Sequence, residues 1–360
     1  MIKIIILLFI IISLIILKII NNKEDFNNNY SGCKKLISSQ QKIFKERGMK
    51  YNVKDSDFYI PCLGEDCQMV SNKVDKINGI IRVGAIDGCN KINSKIYLWN
   101  ILKNKFKNKV TDIMPDTYVL FNNFKWKNWD DWKEKNKNQI YILKNYKQRQ
   151  QGLKLIDDLD NIKSYKNQGY YIIQKVLQDP YLIDNRKVNL RIYYLIICRY
   201  GKVYGYIYNN GFVYYTPKYF KKNSIIDDEV ITTGYIDRQV YVDNPLTLKD
   251  FLKHLSKDRG NNQKNKFIDN FKNLFNQITN ALDGNICQND KSKIWFQLFG
   301  ADVDVGNQLT PKLIEINKGP DLGSKDERDG KVKLNLQRDL YDLVDEISPS
   351  KRKNNFIHIY

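Results

Sequence analysis

Three oxygen-bearing side chains stand near the C-terminal end of the chain: Asp302 in FGADVDV, and Glu315 and Asn317 in LIEINKGP. Glu315 and Asn317 are two residues apart, so on a strand both point to the same face. Asp302 on a paired strand brings a third donor to that face. Two carboxylates and a carboxamide between apolar neighbours form the sparse, hard-oxygen set that Mg²⁺ uses when nucleotide phosphates complete its shell. The alternation alone also fits an edge strand whose polar residues face water, so the flanking elements must decide.

Those elements carry cations. Lys144 closes the strand-like QIYILK (139–144), and the polar turn NYKQRQQG after it leaves the ammonium within reach of a phosphate. Gln174, Lys175, Val176 and Leu177 end the stretch YYIIQKVL (170–177). Backbone groups there could pair with an adenine edge while Lys175 lies along the ring. Lys187, Asn189 and Arg191 alternate in RKVNLR, so one sheet face carries two cations, a pattern suited to phosphate or carboxylate. A solvent-facing polar stripe would look the same.

Taken together, these segments resemble the tubulin–tyrosine-ligase-like family of the ATP-grasp superfamily. QKVLQDPYLIDNRKVNLRIYYLI resembles its QK, P-x-L-I and R-K-x-D-L-R run, and FGADVDV…PKLIEINKGPDL resembles its F-G-x-D followed by L-x-E-x-N-x-x-P-x-L. MPDTYVL, YILKNYKQRQQGLKLI and VITTGYI resemble three further stretches, in the family's order, so that the resemblance covers residues 92–322. It implies an ATP-grasp fold in which two α/β subdomains clamp ATP. It also implies a reaction: a carboxylate attacks the γ-phosphate to give an acylphosphate, and the amine of an amino acid displaces the phosphate to form an amide. On this resemblance Lys187 and Arg191 are the catalytic cations. Lys144, Lys175, Lys187 and Arg191 neutralise phosphate charge, Asp302, Glu315 and Asn317 hold Mg²⁺, and Gln174, Lys175, Val176 and Leu177 form the adenine hinge. Asn189, Thr232 and Lys95 (in NSKIYLW) complete the nucleotide site. The departures lie toward the amino-acid side: Asn189 stands where the family has Asp, and Tyr214 where it has Arg. Thr233 replaces Asn, and Asn145 replaces Pro.

The formal net charge is +19, from 59 Lys plus Arg against 40 Asp plus Glu. Such a surface steers acidic protein tails, nucleic acid or anionic membranes toward it. An acidic, tubulin-like tail is the acceptor this charge fits best. Alternatives are an ATP-grasp ligase acting on another protein or a small molecule, and a non-catalytic basic binding protein on the same scaffold. Nucleic acid is the less favoured partner. With only two histidines, His254 and His358, and neither in a motif, a histidine-based triad has no candidate base. No P-loop or dinucleotide fingerprint is present.

The elements that must position these residues read as α+β, with long antiparallel hairpins among the helices. Residues 33–125 read as an N-terminal α/β region, 126–347 as the ATP-grasp core and 348–360 as a basic tail. VNLRIYYLIICRY and KVYGYIYNNGFVYY read as a hairpin turning near Gly201, and residues 246–283 as helical. WKNWDDWKEKN reads as a helix whose tryptophans, Trp126, Trp129 and Trp132, pack. Six scattered cysteines do not make a disulfide framework. From Ile4 to Leu17 every residue but Ser13 is strongly apolar, so residues 1–20 read as a hydrophobic membrane anchor or a signal segment for the secretory pathway, joined by a polar linker, 21–32.

Overall fold

The computed structural model describes residues 29–62, 65–77, 79–120, 128–145, 152–288, 291–345 and 353–360. The chain divides into two compact units, Met1–Gly84 and Ala85–Tyr360.

In the first unit, β1 (Asn29–Gly32), β2 (Lys50–Tyr51), β3 (Phe58–Ile60) and β4 (Arg82–Val83) pair in parallel, in the order β4-β3-β1-β2. Parallel neighbours need a crossover. Here α1 (Ser38–Glu46) and α2 (Cys67–Val74) lie between the successive strands. The Asp66 carboxylate starts α2 by accepting from the Met69 amide at 2.8 Å. Arg82 is buried beside Asp57, 3.4 Å away, and over the Phe58 ring.

The second unit opens with α3 (Cys89–Asn93), α4 (Lys95–Phe106) and α5 (Val110–Ile113). A four-stranded antiparallel sheet follows, built from β5 (Thr117–Val119), β6 (Tyr141–Lys144), β7 (Leu153–Ile156) and β8 (Ile172–Lys175) in the order β5-β8-β6-β7. Helices α6 (Trp129–Lys135) and α7 (Ile162–Asn167) belong to it. Its core joins Leu120, Tyr141, Leu143 and Ile173, with Trp129 and Trp132 packed against them. Those two tryptophans therefore pack as their spacing implied, and Trp126 lies outside the described residues.

The larger sheet holds β9 (Leu182–Ile183), β10 (Arg186–Arg199), β11 (Lys202–Tyr215), β12 (Ile294–Val305), β13 (Pro311–Lys318) and β14 (Phe356–His358). Its order within this unit is β14-β11-β10-β12-β13, with β9 on β10. Tyr200 and Gly201, both at positive φ, close the β10–β11 hairpin in the two-residue turn whose twist matches the strands. Short helices α8 (Asp227–Val230) and α9 (Val240–Asp243) precede the long α10 (Leu248–Leu282), and α11 (Glu327–Val344) follows β13. A Thr247–Asp250 capping box starts α10. Gly260, at φ 83° and ψ 164°, breaks it into two helical segments. One face of β10 is apolar and packs on α10, where the Tyr194 hydroxyl meets the Thr279 hydroxyl at 2.7 Å and its ring meets Phe275. The other face carries the site. This mixed α/β architecture is consistent with the ATP-grasp expectation.

Two expectations need correction. The membrane anchor is withdrawn, because among the described residues no helix is long and apolar enough to cross a membrane; residues 1–20 themselves lie outside the described residues. The strand read over 170–177 is only Ile172–Lys175, so Val176 and Leu177 lie beyond its end. One disulfide, Cys198–Cys287, ties the end of β10 to the segment after α10 across 89 residues.

Candidate nucleotide and metal site

Register builds the site. On β10, Lys187, Asn189 and Arg191 share one face, and their neighbours Val188, Leu190 and Ile192 are buried on the other. Antiparallel pairing sets Asn189 opposite Asp304 and Arg191 opposite Asp302 on β12. The next pairing sets Asp302 opposite Glu315, and Gly300 opposite Asn317, on β13. A register shift falls at Asp302/Val303, a bulge of the kind that re-aims side chains beside functional sites.

The contacts alternate in sign across the three strands. Arg191 Nε and Nη2 donate to the two Asp302 oxygens at 2.6 and 3.0 Å, a bidentate fork. Asn317 Nδ2 donates to Asp302 Oδ2 and to Glu315 Oε1, both at 3.2 Å. Lys95 Nζ lies 3.2 Å from Glu315 Oε2. One step along, Lys187 Nζ donates to Asp304 Oδ2 at 3.0 Å and Asn189 Nδ2 to Asp304 Oδ1 at 3.2 Å. The Lys187–Asp304 pair is almost fully buried, with side-chain exposures of 7% and 6%.

Lys144 is buried at the end of β6, where its ammonium donates to Gln174 Oε1 at 2.7 Å. Gln174 Nε2 passes the chain on to the Thr117 hydroxyl at 3.0 Å, which donates to the Pro115 carbonyl. Burial pulls the Lys144 ammonium down to about 8, although Glu315 pulls the other way. Burial pushes the Glu315 carboxyl up, but Lys95 and Lys144 outweigh it and hold the group at about 2. Burial also pushes the Asp302 carboxyl up, against the pull of Arg191.

Mg²⁺ would find oxygen donors here. Asn317 uses its nitrogen on both carboxylates, which leaves its carbonyl oxygen for a cation. The Asn189 carboxamide oxygen is buried with no hydrogen-bond partner among the described residues. No cluster of three or more His, Cys, Asp or Glu among the described residues is placed to hold a metal alone. The set is two carboxylates and a carboxamide, which suits an ion that shares its shell with phosphates.

The structure thus gathers Lys95, Lys187, Asn189, Arg191, Asp302, Glu315 and Asn317 on one face, with Lys144 and Gln174 on the smaller sheet. Among the hinge residues, the Lys175 and Val176 amides are engaged by the Asp116 and Ile140 carbonyls, whereas the Leu177 amide has no backbone partner among the described residues. Thr232 precedes Thr233, whose amide donates to the Tyr215 carbonyl at the end of β11. Asp304 is the residue that sequence reasoning missed. It stands two places after Asp302, so the same alternation rule could have found it.

Beyond Arg191 the sheet face runs into a small pocket lined by Tyr193, Tyr214, Arg238, Lys325 and Lys333, with Asp321 and Asp329 among them. The Tyr214 ring stacks on the Arg191 guanidinium, 5.3 Å from its centroid. Arg238 pairs with Asp326, and Lys333 with Asp329 at 3.0 Å. Lys325 instead donates to the Gly234 carbonyl at 2.8 Å. Burial, and Lys333 nearby, pull its ammonium down.

A fold of this kind, with this face of alternating charge, marks a class that comparison with known proteins defines. The model of the tubulin-tyrosine ligase family matches residues 75–355, and the chain belongs to that family. The chain is similar to a protein named probable tubulin polyglutamylase TTLL9 from Rattus norvegicus, 28% identical over 181 residues, 49% of this chain and 38% of that protein. It is also similar to tubulin polyglutamylase TTLL7 from Mus musculus, 23% identical over 325 residues, 80% of this chain and 34% of that protein. A third relative, the probable alpha-tubulin polyglutamylase Ttll1 of Tetrahymena thermophila, is 25% identical over 191 residues, 51% of this chain and 45% of that protein. The chain therefore spans less than half the length of these relatives.

Proposed function

We propose that the second unit is an ATP-dependent ligase that adds an amino acid, glutamate, to a carboxylate of an acidic protein tail such as that of tubulin. The observation that carries this reading is the unbroken line Lys95–Glu315–Asn317–Asp302–Arg191 across three strands, with Lys144 and the Lys187–Asp304 pair beside it. Glutamate is supported by the relatives, which are named polyglutamylases, and by Arg191, Arg238, Lys325 and Lys333, which outnumber Asp321 and Asp329 in the lining of the pocket.

In this reading the acceptor carboxylate forms a bond to the γ-phosphorus of ATP while the β–γ bond breaks and ADP leaves. The amine nitrogen of glutamate then attacks the carbonyl carbon, and phosphate leaves as the amide forms. Lys144 and Lys187 hold phosphate charge, and Arg191, poised between face and cavity, holds charge that develops on the reacting carboxyl. Asp302, Glu315 and Asn317 would hold Mg²⁺, which when bound draws charge from the phosphate oxygens. The cavity cations orient the carboxylates of the incoming amino acid. The basic surface gathers the acidic tail.

The test incubates the full chain with ATP, Mg²⁺, a glutamate-rich tubulin-tail peptide and one amino acid at a time, and reads the peptide by mass spectrometry. Glutamyl increments that require ATP, and that vanish in Glu315→Gln, are expected. A folded wild-type chain that adds no amino acid under any of these conditions would refute the reading.

A further inference from the structure

Both carboxylates of the proposed metal site are held by the chain's own cations. Asp302 is gripped by Arg191 through two hydrogen bonds, and Arg191 is itself fixed on its strand under the Tyr214 ring. Glu315 is held differently. Its cation, Lys95, comes from another element and makes a single contact, at 3.2 Å. Lys95 is the first residue of α4, where the positive end of the helix dipole disfavours an ammonium. Its side chain keeps 22% exposure, and Glu315 is its sole ion-pair partner among the described residues. Among the described residues, a lysine so placed is held by the carboxylate opposite.

The charge count points the same way. Lys95, Lys144, Lys187 and Arg191 face Asp302, Asp304 and Glu315, four cations against three carboxylates. A divalent cation arriving alone joins a face already in positive excess and must displace a lysine that has no other ion-pair partner among the described residues. Arriving with a polyphosphate, it meets the reverse: the phosphates reverse the excess and offer Lys95 a new partner.

We propose that Lys95 is a stand-in cation that occupies Glu315 until metal and nucleotide arrive together, so that the site refuses a divalent ion on its own. This inference rests on the ATP-and-Mg²⁺ reading above. Lys95 here is a positioning residue that sets the order of binding.

The experiment measures Mn²⁺ binding to the full chain by electron paramagnetic resonance, with and without a non-hydrolysable ATP analogue. It uses wild type, Lys95→Gln, Lys95→Arg, and Lys91→Gln as a control for general loss of positive charge, each checked for folding by thermal melting. Wild type should bind Mn²⁺ weakly alone and tightly with the analogue. Lys95→Gln should bind Mn²⁺ alone about tenfold more tightly than wild type, the charge opposing it having gone. Lys95→Arg and Lys91→Gln should behave as wild type. If wild type takes up Mn²⁺ with the analogue while Lys95→Gln binds Mn²⁺ alone no better than wild type, the stand-in role is wrong and the site assignment survives. If folded wild type fails to bind Mn²⁺ even with the analogue, both fall.

Discussion

Two arginine–aspartate pairs in this molecule use the same chemistry to different ends. In the first unit, Arg82 is almost fully buried beside Asp57 and over Phe58, in a small parallel sheet. In the second, Arg191 and Asp302 lie on a face where Lys95, Lys144, Lys187, Asp304 and Glu315 crowd around them. Like charges held together in a folded chain cost stability, and a fold keeps such a cluster where a ligand will offset it. A single pair sunk in the core of a small sheet fixes packing; a pair embedded in further charges of both signs, beside an Asn189 oxygen that has no hydrogen-bond partner among the described residues, is arranged to receive something.

The sharpest way to break that distinction is to remove each arginine in turn. Arg82→Met removes the guanidinium that Asp57 faces in the core, which should cost about 3–5 kcal/mol of stability, read by chemical denaturation. Whatever remains folded should ligate normally. Arg191→Met should lower ligation about a hundredfold or more, the scale of losing one charge-stabilising donor, and cost less stability because the Asp302 side chain is partly solvated and also bonded to Asn317. Equal losses of stability and equal losses of turnover in the two variants would erase the contrast.

How much of this was legible in the sequence follows from what each feature depends on. The polar face was readable because strands alternate with period two, and Lys187, Asn189 and Arg191 obey that rule, as do Glu315 and Asn317. Asp304, two places after Asp302, obeys it too. The pairing of Arg191 with Asp302 was not readable: it spans 111 residues and depends on which strands become neighbours and in what register. Lys95 was reached through family resemblance, since nothing in α4 says that its first turn meets β13. The Cys198–Cys287 bond, and the cavity assembled from β10, β11, the 234–246 segment and the start of α11, depend on tertiary placement in the same way. The helical stretch over 246–283 reads as two apolar-periodic runs, LTLKDFLKHL and FIDNFKNLFNQITNAL, and Gly260, which breaks α10, falls between them.

A smaller effect sharpens the comparison from inside the site. Asn189 donates to Asp304, and its own oxygen has no hydrogen-bond partner among the described residues. Asn189→Asp removes the donor and sets a second carboxylate against Asp304, which among the described residues is bonded to one cation, Lys187. The variant should lose about 1–3 kcal/mol at neutral pH, the scale of an unsatisfied buried polar contact. The sign with pH is fixed: a neighbouring carboxylate raises the folded-state pKa. The deficit should therefore be small below the ordinary carboxylate range, near 4, and grow as pH rises above it. Denaturation midpoints at pH 4 and pH 7 measure this; a deficit that is the same at both would mean that the oxygen has found another donor.

Lys144 gives the smallest and most specific prediction. Its ordinary value is 10.5, and burial brings it to about 8 in the folded chain. Between those two values the unfolded chain binds more protons than the folded one, so this group makes stability rise with pH across that window. Nucleotide affinity must move the other way, because the ammonium that attracts phosphate is lost above about 8. Binding of a non-hydrolysable ATP analogue with Mg²⁺ should therefore weaken by up to about tenfold between pH 7 and pH 9, since each unit beyond the pKa is worth about 1.4 kcal/mol. Bound phosphate holds the proton on, so the midpoint in the complex should lie above that of the free chain. Lys144→Gln keeps a donor for Gln174 but carries no charge to titrate, and its affinity, lower at pH 7, should be flat over the same range. Were the wild-type profile flat, or the variant's as steep as wild type, the titrating group would lie elsewhere and Lys144 would be a packing residue like Arg82.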